Sequence, residues 1–182
     1  MAFSEKEKCA ILKLARNSIL SELDNSKVLE FETIENALLG KNGVFVTLHT
    51  GKGKLRGCIG RMYSEEPLYK TVIKMAKEAA VGDRRFSPVT LAELGDLKIE
   101  ISVLSPLKKI KDSTEIELGV HGVMVVKGAS SGVFLPQVAV ETGWNLKKFM
   151  NNLCAGKAGL SKDAWKNKDT DIYVFTVEII AE

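Results

Sequence analysis

The stretch Val44-Phe45-Val46-Thr47-Leu48-His49-Thr50-Gly51-Lys52-Gly53-Lys54-Leu55-Arg56-Gly57-Cys58-Ile59-Gly60 decides how the chain is read. Val, Phe and Thr favour a pleated, half-buried surface, so residues 44–48 predict a strand. Thr50-Gly51-Lys52-Gly53 is turn chemistry, and residues 54–59 predict the returning strand. A four-residue turn sets Leu48 opposite Leu55. The period of two then places Val44, Val46 and Leu48 on one face with Leu55, Gly57 and Ile59. That face is core. The opposite face carries Phe45, Thr47 and His49 with Arg56, Cys58 and Gly60, so Arg56 and Cys58 project together.

A thiol is a nucleophile only as its thiolate, and a neighbouring guanidinium favours that form. Gly57 and Gly60 lack side chains and let a ligand or another backbone approach the strand. The run is therefore a candidate thiolate or anion site, with Cys58 as the catalytic group and Arg56, Gly57 and Gly60 against the substrate. Plainer readings stand beside this one. Free cysteine is among the most buried residue types, and glycine in a strand often marks a bulge or tight packing. An arginine can equally be a structural ion-pair partner, or cover apolar area with its stem.

Outward from this hairpin, Ser4 and Glu7 form a capping box, and Leu12, Ala15, Ile19 and Leu23 follow at helical spacing, which predicts an N-terminal helix over residues 5–23. Ser64, Glu65, Glu66 and Pro67 announce a second helix, running through Val72, Met75, Ala76 and Ala79 to a stop at Gly82. A turn of helix near 91–94 precedes a strand over 97–104. Ser105-Pro106 breaks the chain, and 107–119 reads as a charged connection. Residues 123–127 predict a strand, 128–132 a turn, and 133–138 a returning strand. Asn145 caps a helix over 146–155, and 172–180 is the final strand. A fixed shift sets Gly43 on Gly122 and Leu55 on Phe134, and nearly the same shift sets Ile99-Glu100-Ile101 on Val177-Glu178-Ile179. Each half then reads as hairpin, helices, strand. The class predicted is α+β, a single domain over 1–182 with two related β-α-β lobes, about 40–105 and about 120–182, arising by duplication and sharing one core.

A chain of 182 residues can bury a core without staples, and 45% hydrophobic with 27% charged residues is an ordinary globular balance. No run of about 18 uncharged apolar residues exists, so no transmembrane helix and no membrane partner are expected. Glu5, Lys6, Glu7 and Lys8 stand where a signal peptide would carry its apolar core, so a cytoplasmic location is expected. Cys9, Cys58 and Cys154 are odd in number and form no Cys-x-x-Cys spacing, which disfavours a disulfide framework or zinc ribbon. Two histidines and scattered cysteines do not suggest a dedicated metal site, and no cofactor is called for. The net charge of +3 is too small to argue for nucleic acid by itself. Lys41, Lys52, Lys54, Arg56 and Arg61, however, share a segment that has no acidic residue.

The hexapeptide Leu55-Arg56-Gly57-Cys58-Ile59-Gly60 resembles that of the AMMECR-type family, and the likeness extends further. Asp83-Arg84-Arg85-Phe86-Ser87-Pro88-Val89-Thr90, Ile99-Glu100-Ile101-Ser102-Val103-Leu104-Ser105-Pro106 and His121-Gly122 are similar to it. So are Leu135-Pro136-Gln137-Val138 through Gly143-Trp144, and Leu153-Cys154 with Lys157-Ala158-Gly159-Leu160 and Trp165. Together these cover roughly residues 40–166. Two departures show: Arg84 stands where the family usually has proline, and the chain has an additional-looking residue between Cys154 and Lys157. The resemblance implies an α+β fold of two related lobes around a shared sheet or partly closed barrel. It implies no assigned reaction. Analogy of neighbourhood implies a protein partner of MEMO or radical-SAM type and a modification role, acting on a small molecule or RNA.

His121 precedes Gly122 at the strand start that matches Gly43, so in a duplicated fold it approaches a central cleft as a base for Cys58. The alternative is a satisfied turn histidine. Asp83, Arg84 and Arg85 follow a helix end; they could bind phosphate or carboxylate, Arg85 being a substrate-binding candidate, or tie a loop to Glu100. Gln137 and Glu141 lie in the second-lobe equivalent of the cysteine strand and would line the same cleft, whereas Trp144 reads as core. Cys9 and Cys154 read as packing, and His49 as exposed. Two functions fit these residues. One is a cysteine-dependent modification enzyme of unknown substrate. The other is a module that binds RNA or another anion without catalysis, using Lys52, Lys54, Arg56, Arg61 and Arg85; no aromatic RNA-binding signature accompanies those cations.

Overall fold

The computed structural model describes residues 2–24 and 36–182. Its helices are α1 (Glu5–Leu23), α2 (Leu68–Val81), α3 (Pro136–Thr142) and α4 (Leu146–Asn152). Its strands are β1 (Val44–His49), β2 (Leu55–Arg61), β3 (Lys98–Leu104), β4 (Lys108–Ile110), β5 (Gly122–Lys127), β6 (Ser130–Phe134), β7 (Asp171–Phe175) and β8 (Val177–Ala181). Two compact units result. Unit 1 takes the chain up to Leu104 with Glu178–Glu182, and unit 2 is Ser105–Val177.

Unit 1 is a four-stranded sheet in the order β2-β1-β3-β8, packed under α1 and α2. The capping box that starts α1 is formed: Ser4 Oγ accepts the Glu7 N–H, and the Glu7 carboxylate accepts the Ser4 N–H. Val44, Val46 and Leu48 of β1 and Ile99, Ile101 and Val103 of β3 enter one core with Val72, Met75, Ala76 and Ala79 of α2 and Ile11, Ala15 and Ile19 of α1. The period of two buries alternate residues of β1, and the period of 3.6 buries one stripe of α2.

The hairpin register differs from the expected one. Leu48 pairs with Gly57, Val46 with Ile59 and Thr47 with Cys58, while His49 pairs with Leu55. The connection is tighter than four residues: Thr50 and Lys54 close it by a backbone hydrogen bond of 2.8 Å, with Gly53 at φ +75°. A ladder continued evenly from that turn would put Cys58 in the core. Arg56 is instead an extra, bulged residue, and the bulge restores the faces. Because the observed pairing lies two residues from the expected one, Gly57 and Ile59 keep the core face and Cys58 the opposite one. Leu55, expected in the core, lies before the bulge and is 41% exposed.

Unit 2 holds the second sheet, in the order β4-β7-β5-β6, with its own core of Val123, Val125, Ile172, Val174, Phe134, Phe149, Met150, Leu153 and Cys154. Each unit therefore has a separate core, and the sheets are open. The expected single shared core and partly closed barrel are not found among the described residues. The returning strand expected over 133–138 stops at Phe134, and α3 follows. Pro136 lacks the N–H that a first helical residue leaves unused, and Gly143 at φ +61° ends the helix. The charged connection over 107–119 contains the edge strand β4, which pairs with β7. The helix expected over 146–155 ends at Asn152 and continues as a wide turn in which Ala158 N–H donates to Leu153 O. The final strand, expected over 172–180, is two strands divided at Thr176, with β7 in the second sheet and β8 beside β3 in the first. The shift that set Ile99 on Val177 thus matched neighbours within one sheet and not counterparts in two. Among the described residues no helix is long and apolar enough to cross a membrane.

Candidate functional site

As the outer strand of its sheet, β2 leaves backbone groups without a neighbouring strand. At Cys58 side chains take that place. The Cys58 N–H donates to Asp83 Oδ2 at 2.9 Å, and Arg85 Nη2 donates to Cys58 O at 3.1 Å. Asp83 and Arg85 are themselves locked: Arg85 Nε donates to Asp83 Oδ1 at 2.9 Å and Nη2 to Oδ2 at 2.7 Å. Both sit where α2 has just ended at Gly82, in a turn closed by Phe86 N–H donating to Asp83 O. Arg84 occupies the second position of that turn, the one proline favours, so the turn survives the departure from the family pattern. The Arg85 guanidinium holds the buried Asp83 carboxyl well below the usual carboxylate range, against the opposing effect of burial and with help from the Cys58 N–H.

Arg56 sits in the bulge with its side chain 12% exposed. Its Nε and Nη2 donate to the Glu93 carboxylate at 2.9 and 3.3 Å, Nη1 to Ser87 O at 2.9 Å and Nη2 to Pro88 O at 3.2 Å. Glu93 also accepts the Thr90 N–H and hydroxyl, and its carboxyl falls to about 2, chiefly through Arg56. Arg56 thus fastens the 87–93 segment to β2. Its donors are committed to protein acceptors, as in the structural ion-pair reading.

The thiol has a different neighbour from the one expected. Thr47 lies directly across from Cys58, and its Oγ1 donates to Sγ at 3.3 Å. Thr47 also pairs with Glu100 of β3 on its other side. Cys58, Thr47 and Glu100 therefore form one row across three strands, on the face turned from the core, with directly opposed residues some 5 Å apart at Cβ. Cys58 and Glu100 are half-buried, and the Glu100 carboxylate has no hydrogen bond or ion pair among the described residues. Sequence reasoning named Glu100 only as a tie for the 83–85 loop, which instead pairs within itself and with Cys58, and missed its place in the row with Cys58. The available signal was a charge set between Ile99 and Ile101 in an apolar strand.

Neither glycine opens a path to the backbone. A Cβ on Gly57 would overlap the Ala79 carbonyl oxygen of α2, and one on Gly60 would overlap the Phe45 ring. Both serve close packing, Gly57 against the helix on the core face.

The remaining candidates belong to unit 2. His121 Nδ1 accepts the Glu117 N–H at 3.0 Å, and the His121 N–H donates to Glu117 O. The neutral ring then carries its proton on Nε2, so it has no lone pair free to act as a base; this is the satisfied turn histidine. Gln137 and Glu141 lie on α3 and not on a strand, one helical turn apart, Glu141 exposed and Gln137 half-buried with its Oε1 unpaired. Trp144 packs its ring against Phe134. Cys154 is fully buried, and burial pushes its thiol up. Cys9, expected as packing, is exposed.

These observations define a class: a two-unit α+β protein whose first sheet holds a cysteine on an edge strand capped by an aspartate–arginine pair. The AMMECR1 family profile matches residues 12–180, and the chain belongs to that family. Protein MK0488 of Methanopyrus kandleri is 42% identical over 180 residues, covering 94% of this chain and 86% of that one. Protein PF1979 of Pyrococcus furiosus is likewise 42% identical, over 182 residues, with 94% and 86% covered. Among solved structures, the crystal structure of the uncharacterized protein PH0010 from Pyrococcus horikoshii is similar with a TM-score of 0.80 and 38% identity, over 95% of this chain and 90% of that chain.

Proposed function

We propose that the chain is a cysteine-dependent modification enzyme in which Cys58 bonds covalently to its substrate. The observation that supports this most is the row Cys58-Thr47-Glu100, which sets a thiol, a hydroxyl in contact with it and an uncommitted carboxylate on one face of a rigid sheet. In the proposed step, Sγ bonds to the carbon of a polarised double bond, the π pair of that bond moves to its heteroatom, and solvent water carries the thiol proton to the Glu100 carboxylate, two strands away on the same face. The Thr47 hydroxyl donates to the sulfur as charge develops on it. The Asp83–Arg85 pair fixes the Cys58 backbone at both its N–H and its C=O, the support that a positioned nucleophile needs. Arg85 is 58% exposed and its Nη1 makes no hydrogen bond among the described residues, so it is a cation available to an anionic group on the substrate. His121 has no part in this reading.

The test is the rate of Cys58 alkylation by iodoacetamide, read by mass spectrometry from pH 5 to 9, in the parent chain and in Thr47→Val and Glu100→Gln. Loss of one hydrogen bond to the sulfur should slow Thr47→Val by about three- to tenfold at neutral pH. Glu100→Gln should move the pH profile. Profiles that superimpose for all three proteins would remove the reading.

A further inference from the structure

Residues 109–113, 165–168 and 170–172, all in unit 2, line a cleft of about 510 Å³, a volume suited to a small molecule. Four lysines lie on its walls, Lys109, Lys111, Lys166 and Lys168, against two aspartates, Asp112 and Asp171. Lys109 is paired with Asp171 at 2.7 Å, and Lys166 with Asp163 at 2.9 Å. Asp112 turns to its own chain and accepts the Thr114 N–H at 2.8 Å. The side chains of Lys111 and Lys168 are left without an ion pair or hydrogen bond among the described residues.

A second observation concerns a polar group beside Lys168. Thr170 also lines the cleft, is 8% exposed, and its hydroxyl oxygen is buried without a hydrogen-bond partner. Native proteins rarely leave such a group unpaired unless a ligand or ordered water completes it. Trp165 supplies a fixed wall, its indole N–H held by Asn151 Oδ1 at 2.8 Å.

We infer that this cleft is a binding site for the phosphate group of a small phosphate monoester. Two uncommitted ammonium groups match the two negative charges of the monoester, and the Thr170 hydroxyl supplies a neutral donor to a third oxygen. Lysine acts here as a compact point charge, which suits a phosphate approached from several directions. The inference stands whether or not Cys58 is reactive.

The test is an NMR titration of the full chain, following backbone amides at constant ionic strength, with inorganic phosphate, uridine 5′-monophosphate and malonate as separate ligands. The expected result is saturable movement of the amides of 109–113 and 166–171 with both phosphate and the nucleotide, the nucleotide binding at least as tightly. Lys111→Ala/Lys168→Ala should weaken both by about tenfold or more, and Thr170→Val by about threefold. The two lysines are exposed, so the double variant should fold, and its unchanged remaining spectrum would verify that. The inference is overturned if the movements scatter over the surface, if the double variant binds within about twofold of the parent, if the nucleotide is excluded, or if malonate binds as tightly as phosphate.

Discussion

Replacing Asp83 by alanine tests the edge of β2 most severely. The carboxylate accepts four hydrogen bonds, from Cys58 N–H, Arg85 N–H, Arg85 Nε and Arg85 Nη2, between 2.7 and 3.1 Å. The two guanidinium bonds involve a side chain that is 58% exposed, so water replaces the carboxylate there and the loss stays below about 1 kcal/mol. The bond from Cys58 N–H to a buried charged acceptor contributes about 1.5–3 kcal/mol. Together Asp83→Ala should cost about 2–4 kcal/mol, which for a chain of this size lowers Tm by about 5–15 °C. Asp83→Asn keeps an acceptor for Cys58 N–H and should recover about half of that loss. The pH dependence has a definite sign. The folded carboxyl lies below its ordinary value of 3.8, so its contribution is complete above that pH and is lost as pH falls toward the folded value. Urea unfolding followed by circular dichroism at pH 7 and pH 3 should therefore show a gap between parent and variant that narrows in acid. A loss under about 1 kcal/mol at pH 7, or a gap that widens in acid, would refute the reasoning.

Gly57→Ala forces a methyl group onto the Ala79 carbonyl oxygen and should destabilise by about 1–3 kcal/mol, measured by thermal melting; a neutral result would contradict the close approach of α2. Arg56→Lys keeps the charge but loses the fork that reaches Glu93, Ser87 O and Pro88 O, so a loss of about 1.5–3 kcal/mol in urea unfolding is expected. Glu93→Gln should cost about 1 kcal/mol at pH 7, because Glu93 is 39% exposed and solvent screens it. Since the Glu93 carboxyl drops from 4.5 to about 2, that cost should be complete above pH 4.5 and fade between there and pH 2 in an acid unfolding series. Cys154 should resist a thiol reagent in the native protein while Cys9 and Cys58 react, and should be modified only on unfolding, which a count of released chromophore with and without denaturant would show.

Most of unit 1 was legible because its signals are local. The capping box at Ser4 and Glu7 marks the start of α1, and the alternation of Val44, Val46 and Leu48 marks both the strand and its buried face. The bulge at Arg56 was not legible: it depends on a turn closed by Thr50 and Lys54 and on an arginine held by Glu93, a residue far along the chain. The same distance hid the partners of Cys58, since Asp83 and Arg85 reach it across the end of a helix. In unit 2 the misread elements were the short ones. α3 carries its punctuation in Pro136 and Gly143, yet Val138 and Val140 look like strand residues. The split between β7 and β8 falls at one threonine in a run that reads as a continuous strand, and only pairing in two different sheets reveals it. Arg56 and His121 were chosen for chemistry that their residue types allow; in the fold the Arg56 guanidinium and the His121 Nδ1 lone pair are taken by hydrogen bonds within the protein.

The central claim, that Cys58 is the reactive group of this chain, is tested most directly by competition between Cys58 and Cys9. Cys9 is the fair reference, being exposed on α1, whereas buried Cys154 would lose to any accessible thiol. Limiting iodoacetamide, with peptides quantified by mass spectrometry from pH 6 to 8, should label Cys58 about tenfold faster than Cys9 at pH 7, despite its lower exposure. Labelling of Cys58 at or below the rate of Cys9 throughout that range would contradict the account.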